Sequence, residues 1–158
     1  MGDDEIEELK ALYAPLRHFA GIVAPVGTAP DDLVQEVFTR VIERGGFAGI
    51  DSPIHYLRRA IVNLVSNQRR SSAAAQRAFT RHGVTSDARD VTYPSDLAEL
   101  MRIEPRARLL SYLVDVEGAS IGEAAEIAGC SPGAARMQLS RARRQLRALL
   151  EDDRVDTP

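Results

Sequence analysis

SIGEAAEIAGCSPGAARMQLSRARRQLRALL, residues 120–150, spells two helices and the turn between them. Ser120 is a good N-cap, and Glu123 stands three residues on, as a capping box requires. Ala125 and Gly129 are four apart. A helix-turn-helix needs a small side chain there for close packing, then a residue that tolerates a positive φ. Ser131 caps the second helix, and Pro132 takes its first position, where a missing N–H costs nothing. Ala135, Leu139, Ala142, Leu146 and Leu149 or Leu150 recur every three or four residues and predict one buried stripe. The rest of the helix is of one sign. Between Ser131 and Leu150 stand five arginines (Arg136, Arg141, Arg143, Arg144, Arg147) and no acid, in a chain of net charge −3. Guanidinium groups bind phosphate bidentately, and phosphates repeat along a duplex, so this helix suits DNA. Ala134, Arg136, Met137, Gln138 and Arg141 in its N-terminal half would face base edges in the major groove.

The whole composition narrows the fold. Of 158 residues 44% are hydrophobic but only 5% aromatic, with no Trp. A core of Leu, Ile, Val and Ala favours helices. A single cysteine, Cys130, excludes an internal disulfide and a multi-cysteine zinc site. It reads as a small apolar turn residue. No apolar run is long enough to span a membrane, and the acidic start is unlike a signal peptide, so a cytoplasmic protein is expected. Charge is segregated. Residues 1–36 hold eight acids against Lys10 and Arg17, whereas 52–86 hold six arginines and no acid. Two basic blocks separated by acidic stretches point to two contacts with one polyanion and an acidic surface kept for another partner.

Taken in order, residues 5–23 put Ile6, Leu9, Leu12, Tyr13, Leu16, Phe19 and Ala20 on one helical face, with a kink or local break expected at Pro15 and a partly buried His18. Residues 30–44 form a second helix, capped by Asp31 or Asp32 and ended by Gly45-Gly46. Its apolar side is Leu33, Val34, Val37, Phe38, Val41 and Ile42. A third helix, about 53–79, follows a Ser52 cap. Ile54, Leu57, Ile61, Leu64 and Val65 are its buried side, extended by Ala75 and Phe79, while Asn63, Asn67, Gln68, Arg69 and Arg70 are polar. Residues 80–95 lose periodicity and read as a linker. The helical pattern then resumes with Leu97, Leu100, Met101 and Ile103, and after Pro105 with Leu109, Leu110, Leu113 and Val114. The expected fold is all-α: two small helical domains, 1–79 and 96–153, joined by a flexible linker over 80–95.

Three stretches carry a family resemblance. DDLVQEVFTRV (31–41) looks like the region-two helix of the extracytoplasmic-function sigma factors of bacterial RNA polymerase. YLRRAIVNLVSNQRR (56–70) resembles the promoter-facing helix of that region, and residues 102–150 resemble region four. A lone helix-turn-helix is weakly specific; preceded by the DLVQEVF helix it becomes a strong signal. The resemblance implies that Asp32, Gln35 and Glu36 bind the clamp helices of the largest subunit of core RNA polymerase. It assigns Asn63, Asn67, Gln68, Arg69 and Arg70 to the −10 element of promoter DNA. It assigns Ser131, Arg136, Gln138, Ser140, Arg141, Arg143 and Arg144 to the −35 element. It also implies an anti-sigma factor that holds the free protein, which is expected to be monomeric. Departures from the family pattern are local. Tyr56 stands near the place of a usual Trp, Asn67-Gln68-Arg69-Arg70 replaces Asp-His-Leu-Arg, and Gly133-Ala134-Ala135-Arg136-Met137-Gln138 replaces Gly-Thr-Val-Lys-Ser-Arg. An altered promoter preference is expected from them.

No catalytic constellation is legible. His18, His55 and His82 fall in different elements, and there is no phosphate-binding glycine loop or metal-ligand spacing. The expected action is binding, with no enzymatic step, cofactor or metal. The residues leave two alternatives open: a stand-alone helix-turn-helix regulator, and a sigma-like decoy that binds polymerase without initiating.

Overall fold

The computed structural model describes residues 2–79 and 99–155, with backbone alone at 76–79, 153 and 155. Every regular element among them is helical. In order these are α1 (Asp3–Val23), α2 (Pro30–Arg44), α3 (Pro53–Phe79), a 3-10 turn (Leu100–Arg102), α4 (Pro105–Ser111), a π-helical turn (Tyr112–Val116), α5 (Ile121–Ala128) and α6 (Pro132–Val155). The chain divides into two compact units, Met1–Thr92 and Tyr93–Pro158. The expected linker, 80–95, lies outside the described residues, as do Leu97 and His82.

In the first unit α1, α2 and α3 pack pairwise. Leu9, Leu16, Phe19 and Ala20 of α1 close on Leu33, Val34, Val37 and Val41 of α2 and on Leu57, Ile61, Leu64 and Val65 of α3. The stripes are narrower than the periodicity predicts. Ile6 is 37% exposed and Ile42 52% exposed, each at the edge of its helix's buried arc. His18 is exposed, on the side of α1 opposite Leu16 and Ala20, rather than partly buried. Ala75 is exposed along with its neighbours from Arg70 on, so it does not extend the core; the Phe79 side chain lies outside the described residues. Pro15 does not end α1, which runs on to Val23 with the proline on its exposed side.

The α2 cap is also corrected. Ala29 is the N-cap, with no side-chain cap bond, because Pro30 takes the first helical position. Asp31 turns instead toward α1, where it accepts hydrogen bonds from the Tyr13 hydroxyl and from Arg17 Nε at 2.8 Å. The Tyr13 bond, joined by Arg17, holds the Asp31 carboxyl below its usual range and pushes the Tyr13 hydroxyl up. At the far end of α2, Gly45 (φ 91°, ψ 21°) closes the helix as expected. The next residue, Gly46 (φ 109°), sits against α1: a Cβ there would fall 2.4 Å from Glu5 Oε1. Glu5 accepts from the Phe47 N–H at 3.1 Å and the Gly2 N–H at 3.0 Å, and these bonds lower its pKa.

In the second unit Leu109, Leu110 and Leu113 form the buried centre with Ala124, Ala125, Ile127 and Ala128 of α5 and Ala135, Leu139 and Ala142 of α6. Val114 is half-buried. Beyond Ala142 the α6 stripe opens: Leu146 and Leu149 are half-buried, and Leu150 is 50% exposed. The helix begun at Pro105 does not stay α-helical to its end. It widens into a π turn, with the Glu117 N–H bonded to the Tyr112 carbonyl at 3.0 Å, and Gly118 (φ 74°) then reverses the chain.

Candidate nucleic-acid interface

The turn between α5 and α6 is built as its residues predict. Ser120 Oγ accepts from the Glu123 N–H at 3.1 Å, and Glu123 Oε2 accepts from the Ser120 N–H at 2.9 Å. Gly129 (φ 68°, ψ 39°) is left-handed, and the Cys130 N–H reaches back to the Ala125 carbonyl at 3.0 Å, which makes a Schellman ending. Ser131 Oγ then accepts from the Ala134 N–H at 3.2 Å to start α6. A residue of α4 fastens the turn: Arg106 Nη2 donates to the carbonyls of Ala128 (3.3 Å) and Gly129 (3.2 Å). A cation at the negative end of α5 satisfies orphan carbonyls and opposes the helix dipole.

Fixing α6 this way orients its polar side chains. Ser131, Arg136, Ser140, Arg141, Arg143 and Arg144 are exposed. Gln138 is half-buried, and its Oε1 is enclosed without a hydrogen-bond partner among the described residues. Arg136, Ser140, Arg143 and Arg147 recur at three- and four-residue steps and so share one flank. They line a groove of about 350 Å³ with Arg144 and the start of α5. On the other flank Gln138, Arg141 and Gln145 border a groove of about 570 Å³ with Glu104 and Arg106 of the α4 segment, and Arg144 lies on both. Met137, 60% exposed, stands in the N-terminal half of the same helix. Arg143 differs from its neighbours. Asp115 of the π turn pairs with it side-on, Oδ1 to Nη2 at 2.6 Å and Oδ2 to Nε at 3.3 Å. That bond strengthens the hold of Arg143 on its proton.

In the first unit Asp32, Gln35 and Glu36 stand together on the exposed side of α2. Glu36 pairs with Arg40 one turn on, at 2.9 Å. Asn63, Asn67 and Arg70 share an exposed face of α3 by their spacing, while Gln68 and Arg69 are half-buried and point to other sides. The Gln68 Oε1 is enclosed with no hydrogen-bond partner among the described residues. One arginine of this basic block is drawn inward: the Arg58 guanidinium lies 5.2 Å from the centre of the Phe19 ring. The five polar positions of α3 therefore do not make one surface.

Sequence reasoning leaves out Arg106 and Asp115, and it counts Arg147 among the arginines of the helix without assigning it to the −35 element. Arg147 was within reach of the periodicity, four residues after Arg143. Arg106 and Asp115 lie in another element, and nothing local marks them. Among the described residues no cluster of His, Cys, Asp and Glu could hold a metal ion, and no helix is long and apolar enough to cross a membrane.

Comparison with known proteins bears on these surfaces. The family model for sigma-70 region 4 matches residues 97–146, which hold α4, α5 and most of α6. A curated relative, the RNA polymerase sigma factor CarQ of Myxococcus xanthus, is 32% identical over 157 residues, covering 93% of this chain and 90% of its own length. Among solved structures, the sigma factor RpoE of Bartonella quintana, in complex with the anti-sigma factor NepR, matches with a TM-score of 0.74 and 25% identity, over 99% of this chain and 100% of that one. CnrH, in complex with the cytosolic domain of CnrY, matches in fold with a TM-score of 0.62 at 24% identity, over 93% of this chain and 87% of its own.

Proposed function

This chain belongs to the sigma-70 family of RNA polymerase sigma factors, in its extracytoplasmic-function group, and from that premise we propose how its two units divide the work of transcription initiation. It is an alternative sigma factor. Sigma factors regulate by binding, so the question is which surface meets which partner.

In our reading residues 1–79 form the unit that binds core polymerase and the −10 element, and residues 96–153 the unit that binds the −35 element. Asp32, Gln35 and Glu36 of α2 meet the clamp helices of the polymerase's largest subunit. Asn63, Asn67 and Arg70 face the −10 element, with Gln68 and Arg69 beside them. Freeing a base from the stack costs a few kcal/mol, and stacking and polar contacts of about 1–3 kcal/mol per base offset it. The α6 helix lies in the major groove at −35, with Ser131, Arg136, Gln138, Ser140, Arg141, Arg143 and Arg144 toward the duplex. The observation that carries this reading is α6 itself: between Ser131 and Leu150 it holds five arginines and no acid, and these basic side chains are exposed on both flanks of the helix-turn-helix. The protein acts in the cytoplasm beside polymerase, and is monomeric when free. An anti-sigma factor is its third partner, as RpoE is held by NepR in the matching complex.

The test is a titration of the full chain against bacterial core polymerase. The protein is expected to bind, and Asp32→Arg/Glu36→Arg to lose most of that binding while keeping its helical content. A wild-type chain that fails to bind core enzyme would remove the polymerase assignment and leave α5–α6 as a stand-alone DNA-binding element. Binding without run-off transcription from any promoter tried would favour a decoy.

A further inference from the structure

Between Ser131 and Leu150 the α6 helix carries no acid of its own, yet the structure supplies one from 28 residues upstream. Asp115, in the π turn that follows α4, lies side-on against Arg143 and takes its Nε and Nη2 edge with two bonds, at 3.3 and 2.6 Å. A phosphate binds guanidinium in the same fork geometry, by the same kind of edge. Arg136, Arg141, Arg144 and Arg147 have no such partner among the described residues.

We infer that Asp115 is a built-in counter-ion that withdraws Arg143 from phosphate binding, so that the Ser131–Leu150 stretch of α6 meets DNA with four effective cations and not five. This rests on α6 being the DNA-binding helix. Three observations carry it. The carboxylate occupies the edge a phosphate would take. It is tethered by the fold, so it competes at high effective concentration with any phosphate. The pair is also accessible, with 49% of the Arg143 side chain and 36% of the Asp115 side chain exposed, and Arg143 lines the groove with Arg136 and Arg147. An arginine at this place without Asp115 would strengthen binding to every sequence alike, because phosphate contacts carry no sequence information. Asp115 thus limits sequence-independent affinity and leaves discrimination to the base-facing residues.

Counter-ion release gives a direct readout. Each phosphate neutralised adds about 0.9 to the slope of log K against log salt. The full chain is titrated with a short, labelled, mixed-sequence duplex from about 50 to 200 mM salt. Asp115→Asn keeps the side chain's shape and removes its charge. It should steepen the slope by about 0.9, so that the variant loses about three- to fourfold more affinity than wild type across that range. Adding Arg143→Gln to Asp115→Asn should take the gained ion away again. Asp115→Ala should behave as Asp115→Asn does, and thermal melting of each variant identifies one that fails to fold. An unchanged slope in both folded Asp115 variants overturns the inference, and so does a shallower one, which would make Asp115 a residue that positions Arg143 on a phosphate. Arg144→Gln separates this from the underlying reading: it should lower the slope by about 0.9, and no change there would mean that α6 does not bind DNA through this face.

Discussion

Replacing Gly129 by alanine isolates what the helix-turn-helix turn requires. The residue sits at φ 68° and ψ 39°, and an added Cβ would meet nothing within 4 Å. Packing therefore contributes no penalty, and only the backbone matters. An L-residue held in the left-handed region costs about 1–2 kcal/mol. Alanine also stiffens the unfolded chain, which returns about 0.4–1 kcal/mol. The net loss should be about 1 kcal/mol, which for a unit of this size is a fall of about 4–8 °C in the melting step of Tyr93–Pro158, followed by circular dichroism. Gly129→Asn should lose less, because asparagine tolerates the left-handed region better than alanine. Gly46→Ala provides the contrast. Its φ of 109° is also positive, but here the Cβ would fall 2.4 Å from Glu5 Oε1, so strain and displacement of the carboxylate add together. Gly46→Ala should then destabilise its own unit more than Gly129→Ala does the other. A Gly129→Ala protein as stable as wild type, or asparagine no better than alanine, would refute the backbone account.

Other expectations follow from single contacts. Leu113, wholly buried where α4 passes into the π turn, should cost about 2–5 kcal/mol on truncation to alanine, read from the urea midpoint. Arg106→Ala releases the carbonyls of Ala128 and Gly129. Since Arg106 is exposed and water can replace it, the loss should be about 0.5–1 kcal/mol, with a larger effect on amide exchange in the turn than elsewhere. For Asp31 the folded pKa is depressed, so its stabilisation is present above the unfolded value near about 3.9 and is lost as pH falls through the folded one. Tyr13 has the opposite sign: its folded pKa is raised, and its share is lost only as pH climbs through that value. Asp31→Asn should flatten the acid limb of a stability–pH profile, and an acid limb identical to wild type would show that the contact contributes nothing.

What was legible in the sequence is what is settled within a turn or two of chain. Ser120, Glu123, Gly129, Ser131 and Pro132 each do the local job their chemistry predicts, because caps and turns are decided by neighbours three or four residues away. The buried stripes were legible in their middles and misjudged at their edges. Periodicity says which face is apolar but not how far a partner helix reaches, so Ile6, Ile42 and Leu150 stand partly in solvent. Asp31 looked like a cap because carboxylates cap helices, and a tyrosine and an arginine on another helix claimed it instead. The same limit governs the candidate interface. The exposed arginines of α6 follow from their spacing, but the pairing of Arg143 depends on a residue in a different element. On α3, five polar side chains close in sequence scatter around the helix, since adjacent positions lie about 100° apart.

The π turn at Tyr112–Val116 has a consequence for how this protein can change over generations. A π turn holds one residue more than an α-helical turn, and losing that residue lets the backbone tighten without disturbing the turns before it. The segment is therefore a place where chain length itself can vary. A single deletion there would leave the turns of α4 before it in place but carry Asp115 to a new bearing relative to Arg143. In the DNA-binding role proposed for α6, relatives that differ by one residue at this joint would differ in grip on DNA while every arginine of that helix stayed the same.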